Sequence, residues 1–183
     1  MRGPVSVLPR RCGGIIGAIM NAVSESVRPQ SRNWLAPVFG GGILAGAIDL
    51  TFACTYHGLV SGVSPLRILQ SIASGLFGPD SFKMGYASAA VGFVAHFFIL
   101  IVAAAMFYAA SRRLAFLREY AYVAGMAFGV AIYCTMNYVV LPLSAVPHFK
   151  STTVGALSDF GVHVLLLGPA IALVVRYFDR ARG

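Results

Sequence analysis

Residues 84–110 read MGYASAAVGFVAHFFILIVAAAMFYAA, a run of 27 residues without one charge. At a rise of about 1.5 Å per residue a helix of this length outspans the ~30 Å hydrocarbon layer of a bilayer, so it crosses with some tilt. Three more apolar runs flank it, at 36–60, 120–141 and 154–177. Across all 183 residues 58% are apolar and 11% charged, and mean hydropathy is +0.78. A water-soluble domain carries about 25% charged residues, so this surface faces lipid. The expected fold is all-α: a bundle of four transmembrane helices over residues 34–183.

A linker, Ser61 to Lys83, separates the first two spans. Ser64-Pro65 is a helix start, a cap followed by proline at the first helical position. Leu66, Leu69, Ile72, Ala73 and Leu76 recur at helical spacing, and Gly78-Pro79 ends the pattern. This predicts a short amphipathic helix lying on, or dipping into, the outer membrane face, with Arg67, Gln70, Ser71 and Ser74 on its polar side. Pro142 closes the third span, and Gly168-Pro169 predicts a kink in the fourth.

Residues 1–33 form a separate segment. Arg2, Arg10 and Arg11 precede a short apolar run, Cys12 to Val23, and then Ser24-Glu25-Ser26. Three readings fit: a flexible cytoplasmic extension, a start placed too early with Met20 as the first residue, or a signal-like segment with a poor cleavage site at Ala22-Val23-Ser24.

The net charge is +8. Eleven of the 14 basic residues lie in the amino segment, the 111–119 loop and the carboxyl tail, against three in the other two loops (Arg67, Lys83, Lys150). The positive-inside rule then puts both termini in the cytoplasm of a bacterial inner membrane. Basic residues at span ends suit anionic headgroups, and no basic stripe interleaved with aromatics points to nucleic acid. Cys12, Cys54 and Cys134 make neither a disulfide framework nor a zinc spacing.

Two small-residue faces, Gly42-x-x-x-Gly46 and Gly125-x-x-x-Gly129, allow close helix packing. Each is followed 15 residues on by a Ser-rich, Pro-containing turn, as two parallel hairpins from a duplication would show; chance resemblance of apolar segments is the alternative. With only four spans, a homo-oligomer or a larger membrane complex joined through these faces is expected.

Ionisable side chains inside a membrane are costly and mark functional sites by default. Here they are Asp49 and His57 in the first span, His96 in the second, Asn137 (polar rather than ionisable) in the third, and Asp159 and His163 in the fourth. Measured from the span midpoints, Asp49 and His96 both lie roughly 1–2 Å outward of the midplane and His163 roughly 4–5 Å. Asn137, Asp159 and His57 lie farther out, at about 9, 10 and 13 Å. The pattern predicts a polar interior opening outward above an apolar floor. Asp49 with His96, and Asp159 with His163 four residues on along one face, form two pairs that could bind a proton or a cation, or simply lock helix register. His96 and His163 would be the ligands of a haem or a metal, although no other pattern supports one and no cofactor is expected. No Gly-x-Ser-x-Gly, His-Glu-x-x-His, phosphate loop or nucleotide fingerprint is present, which argues against classical catalysis.

Gly46-Ala-Ile-Asp49, Ser64-Pro-Leu-Arg-Ile-Leu-Gln70, Ala73-Ser-Gly-Leu-Phe-Gly78, His96-Phe97, Met136-Asn-Tyr-Val-Val-Leu-Pro-Leu143 and His163 together resemble a widespread family of small, uncharacterised bacterial inner-membrane proteins. From His96 onward the chain is also distantly similar to the YagU-like inner-membrane proteins, though it lacks their longer periplasmic segment. That resemblance implies a stress or acid-response role. The functions in contention are a proton- or cation-binding membrane protein, an accessory or structural subunit of a membrane complex, and a haem- or metal-dependent redox protein.

Overall fold

The structure, a computed structural model, describes residues 33–145 and 152–180. The readings of residues 1–32 and of the last outer loop around Lys150 lie outside them. The described chain is helical, with no strand. Four helices are long and apolar enough to cross a membrane: α1 (Leu35–Ser61), α3 (Tyr86–Arg113), α5 (Ala121–Leu143) and α6 (Thr153–Arg180). Between the first two stand α2 (Pro65–Phe77) and a 3-10 segment, Gly78–Lys83. A single turn, α4 (Phe116–Glu119), joins α3 to α5.

Close contacts set the directions. Gly42 meets Ile101 and Gly46 meets Phe97, so α1 and α3 run antiparallel. Gly125 meets Pro169 and Gly129 meets His163, so α5 and α6 are antiparallel too. Gly40 meets Val174 and Gly41 meets Ile171, which sets α1 against α6 in the same sense. α1 and α5 are therefore parallel, and each carries its glycine pair into the next long helix. A Cβ at Gly42 would lie 2.6 Å from the Ile101 Cα, and one at Gly125 2.6 Å from the Pro169 Cα. Only glycine lets backbones approach so closely. These faces are thus occupied within the chain, and a contact between copies must use another surface.

Gly62 ends α1 in the left-handed conformation (φ 65°), where glycine carries no steric penalty; its N–H donates to the Gly58 carbonyl and that of Val63 to the His57 carbonyl. Ser64 caps α2 as expected, its hydroxyl accepting from the Arg67 N–H. The polar side of α2 departs from expectation. Gln70 and Ser74 are buried, while Leu76 and Phe77 are exposed. Gln70 donates to the Gly85 carbonyl (3.0 Å), and α2 lies so close to α3 that a Cβ at Gly92 would overlap the Leu69 carbonyl. Ile68 and Ala73 are buried as well and Arg67 stays exposed, so the face set against α3 is mixed; in lipid Leu76 and Phe77 need no protein cover, while Gln70 and Ser74 find partners inside.

Pro142 does not close the third span. α5 continues through it to Leu143, because residues Met136–Val140 open into a π turn. α6 repeats the device: the π turn His163–Leu167 precedes Gly168-Pro169. In both, the residue just before proline donates to the carbonyl five back, Leu141 to Met136 and Gly168 to His163. A proline ring collides with the carbonyl four residues back, and the wider turn relieves that collision without ending the helix.

The apolar core joins the long helices through Ala45, Leu100, Ala104, Phe107, Ile132, Leu167 and Ile171. At the end where α3 and α6 finish, Asp179 binds Arg112 (2.8 Å) and Arg118 (3.3 Å), tying the α3–α5 connection to α6.

Candidate functional site: a four-residue cluster between α1, α3 and α6

Asp49 occupies the middle of α1, three residues beyond Gly46. The glycine pair draws α3 against α1, and this brings His96 to Asp49. The His96 Nε2 lies 3.0 Å from the Gly46 carbonyl oxygen and 3.9 Å from the Asp49 Oδ2. A carbonyl can only accept, so Nε2 carries a hydrogen and donates. His96 is 7% exposed.

The second glycine pair does the same for α6. Gly129 abuts the His163 carbonyl, so α5 presses directly on the first residue of the π turn. The His163 Nδ1 lies 2.9 Å from the Asp159 main-chain oxygen and 3.4 Å from its Oδ1. That carbonyl too can only accept, so Nδ1 carries a hydrogen, and in the neutral ring Nε2 keeps the lone pair. The Tyr133 ring from α5 stands edge-on to the His163 ring at 5.7 Å and to Phe160 at 5.1 Å, walling the site.

The two expected pairs are one cluster. One ligand atom each from Asp49, Asp159 and His163 lie within 4.8 Å of one another, with His96 on the other side of Asp49. α1 and α6 cross at this level, and α3 and α5 hold the flanks. The Asp49 side chain is 20% exposed and that of Asp159 43%, so the cluster opens on the Asp159 side. Towards the other end of the bundle the apolar core forms the expected floor. No Lys or Arg occurs in residues 35–61, 86–111, 121–143 or 153–175, and among the described residues the basic groups beside these carboxylates are His96 and His163.

The remaining polar residues stay outside. Asn137 donates to the Tyr133 carbonyl of its own helix (3.0 Å), at the start of the π turn. His57 lies exposed near the Ser61 end of α1, edge-on to Tyr56. His96 is not in the group that could hold a metal, its Nε2 being engaged by Gly46; the group pairs His163 with two carboxylates instead. Cys54 and Cys134 are free thiols outside the cluster. Sequence reasoning missed one contributor, the Gly46 carbonyl, whose only signal was a glycine three residues before an intramembrane aspartate.

Comparisons with protein-family models, curated proteins and solved structures give no match. The reading of function therefore rests on this geometry.

Proposed function

We propose that this integral membrane protein binds a small cation in the middle of its bundle, between Asp49, Asp159 and His163, with His96 steadying the Asp49 carboxylate. The supporting observation is the convergence within 4.8 Å of one carboxylate from α1 with a carboxylate and an imidazole from α6, in a layer without Lys or Arg. Two carboxylates facing each other in a low-dielectric layer repel, and a cation between them removes that cost. The partly open Asp159 side is the entry, and the apolar floor blocks passage beyond the site in this conformation. On the distribution of basic residues we place both chain ends in the cytoplasm of a bacterial inner membrane, so the entry faces outward.

A thermal-shift panel on the detergent-purified chain tests this, with Na+, K+, Mg2+, Ca2+, Mn2+ and Zn2+. A cation that binds the folded chain stabilises it by RT ln(1 + c/Kd), where c is its free concentration, so the midpoint rises with that concentration. Asp49→Asn should abolish the response while keeping helicity. If no cation raises the midpoint of the parent chain, the carboxylates and histidines serve as helix contacts. The hydrogen bonds of His96 to Gly46 and of His163 to Asp159 favour that second reading.

A further inference from the structure

We infer that the cation is a divalent transition-metal ion, held by Asp49, Asp159 and His163; this rests on the cation-site reading above. The donor set carries the choice. Mg2+ and Ca2+ take oxygen ligands, and an imidazole between two carboxylates suits Mn2+, Fe2+, Co2+ or Zn2+ instead. No thiolate joins the group, which disfavours Cu+. Two carboxylates and one M2+ make a neutral assembly, the form a membrane interior tolerates best.

The surroundings of His163 match a metal ligand. Its Nδ1 donates to the Asp159 main-chain oxygen at 2.9 Å, which orients the ring; in the neutral ring Nε2 is then the nitrogen that would ligate the ion. A ligating histidine commonly holds its other nitrogen in this way. The Tyr133 ring at 5.7 Å restrains the imidazole from the side. His96 donates its Nε2 hydrogen to the Gly46 carbonyl and so holds its ring 3.9 Å from the Asp49 Oδ2, which makes it a positioning residue beside the Asp49 carboxylate.

Bonds of roughly 2.1 Å set ligand atoms about 3–3.5 Å apart, so an ion would draw the group together by up to about 1.3 Å, a shift within the reach of side-chain rotation. Three protein ligands leave at least one coordination position open, the pattern of a site that exchanges its ion or its ligands rather than a closed structural one.

The test is equilibrium binding of Zn2+ and Mn2+ to the purified full chain, by calorimetry and by elemental analysis after dialysis, with Mg2+ and Ca2+ as controls. One transition-metal ion per chain is expected, with little Mg2+ or Ca2+. Asp49→Asn, Asp159→Asn and His163→Gln should each weaken binding at least 100-fold. His96→Gln should weaken it about 10-fold at unchanged stoichiometry, as a supporting shell does. A variant with Cys12, Cys54 and Cys134 changed to Ser should bind as the parent does. Circular dichroism of each variant separates lost ligands from lost fold. Zn2+ and Mn2+ binding that is absent, or that survives all three ligand changes in folded protein, overturns the metal assignment. In that event an Asp49-dependent thermal shift with Na+, K+, Mg2+ or Ca2+ keeps the broader cation reading, and its absence removes both.

Discussion

Gly129→Ala tests whether the glycine faces set the position of the histidines. A Cβ at 129 would lie 2.8 Å from the His163 carbonyl carbon and 2.9 Å from the Val164 Cα, with the His163 oxygen nearer still. Ordinary contact begins at 3.4 Å, so α5 and α6 must part by at least about 0.6 Å. The obstacle is backbone, which cannot swing aside as a side chain can. Overpacking of this kind costs about 1–3 kcal/mol. Alanine recovers up to about 1 kcal/mol in helix propensity. Because the obstacle is backbone, the cost sits at the upper end, about 3 kcal/mol, and the net expectation is a loss of about 2 kcal/mol, read from reversible unfolding in mixed micelles by circular dichroism. Because the displaced atoms belong to the π turn that carries His163, cation affinity should fall with stability. Gly161→Ala is the control: a Cβ there meets nothing within 4 Å, so stability should hold or rise slightly. If Gly129→Ala is as stable as the parent, or Gly161→Ala loses as much, the glycine face does not hold α6 in place.

Further predictions follow from other contacts. Gly42→Ala should destabilise much more than Gly40→Ala, because the first drives a Cβ into the Ile101 backbone and the second meets only Val174 and Phe178 side chains at 3.5 and 3.6 Å; the same unfolding assay compares them. Asp179→Asn should release Arg112 and Arg118 at a cost of at most about 1 kcal/mol, since the groups are partly exposed, and the loss should shrink in high salt. At the fully exposed Asp80–Lys83 pair, the hydrogen bond and charge of Lys83 hold the Asp80 carboxyl below its ordinary 3.8. A depressed carboxyl contributes stability above its unfolded value and loses it as pH falls through the lowered one. Lys83→Met should return the Asp80 midpoint, followed by NMR, to near 3.8.

The long helices were legible because length and hydropathy are one-dimensional properties, and α1, α3, α5 and α6 match the four apolar runs within a few residues. Depth along each axis was legible for the same reason: Asp49 and His96 were expected at one level and meet at 3.9 Å. Azimuth was not. Whether Asp49 turns toward α3 or α6 depends on where the helices cross, and that depends on backbone contacts such as Gly41 on Ile171. So one cluster read as two pairs. The π turns were hidden because the wider turn is an answer to Pro142 and Pro169 that a proline rule alone reads as a stop or a kink. The burial of Gln70 on α2 was not legible because its partner, the Gly85 carbonyl, is brought to it by another element of the fold.

The convergence of Asp49 with Asp159 is tested most directly by paired substitution. In a chain with Cys12, Cys54 and Cys134 changed to Ser, Asp49→Cys and Asp159→Cys are combined and the membranes treated with a mercuric salt, which bridges thiols only a few ångströms apart. The structure predicts one bridge within each chain and protection of both thiols from maleimide, with neither single substitution protected. Full labelling of both thiols after mercuric treatment would contradict the cluster, and with it the cation site.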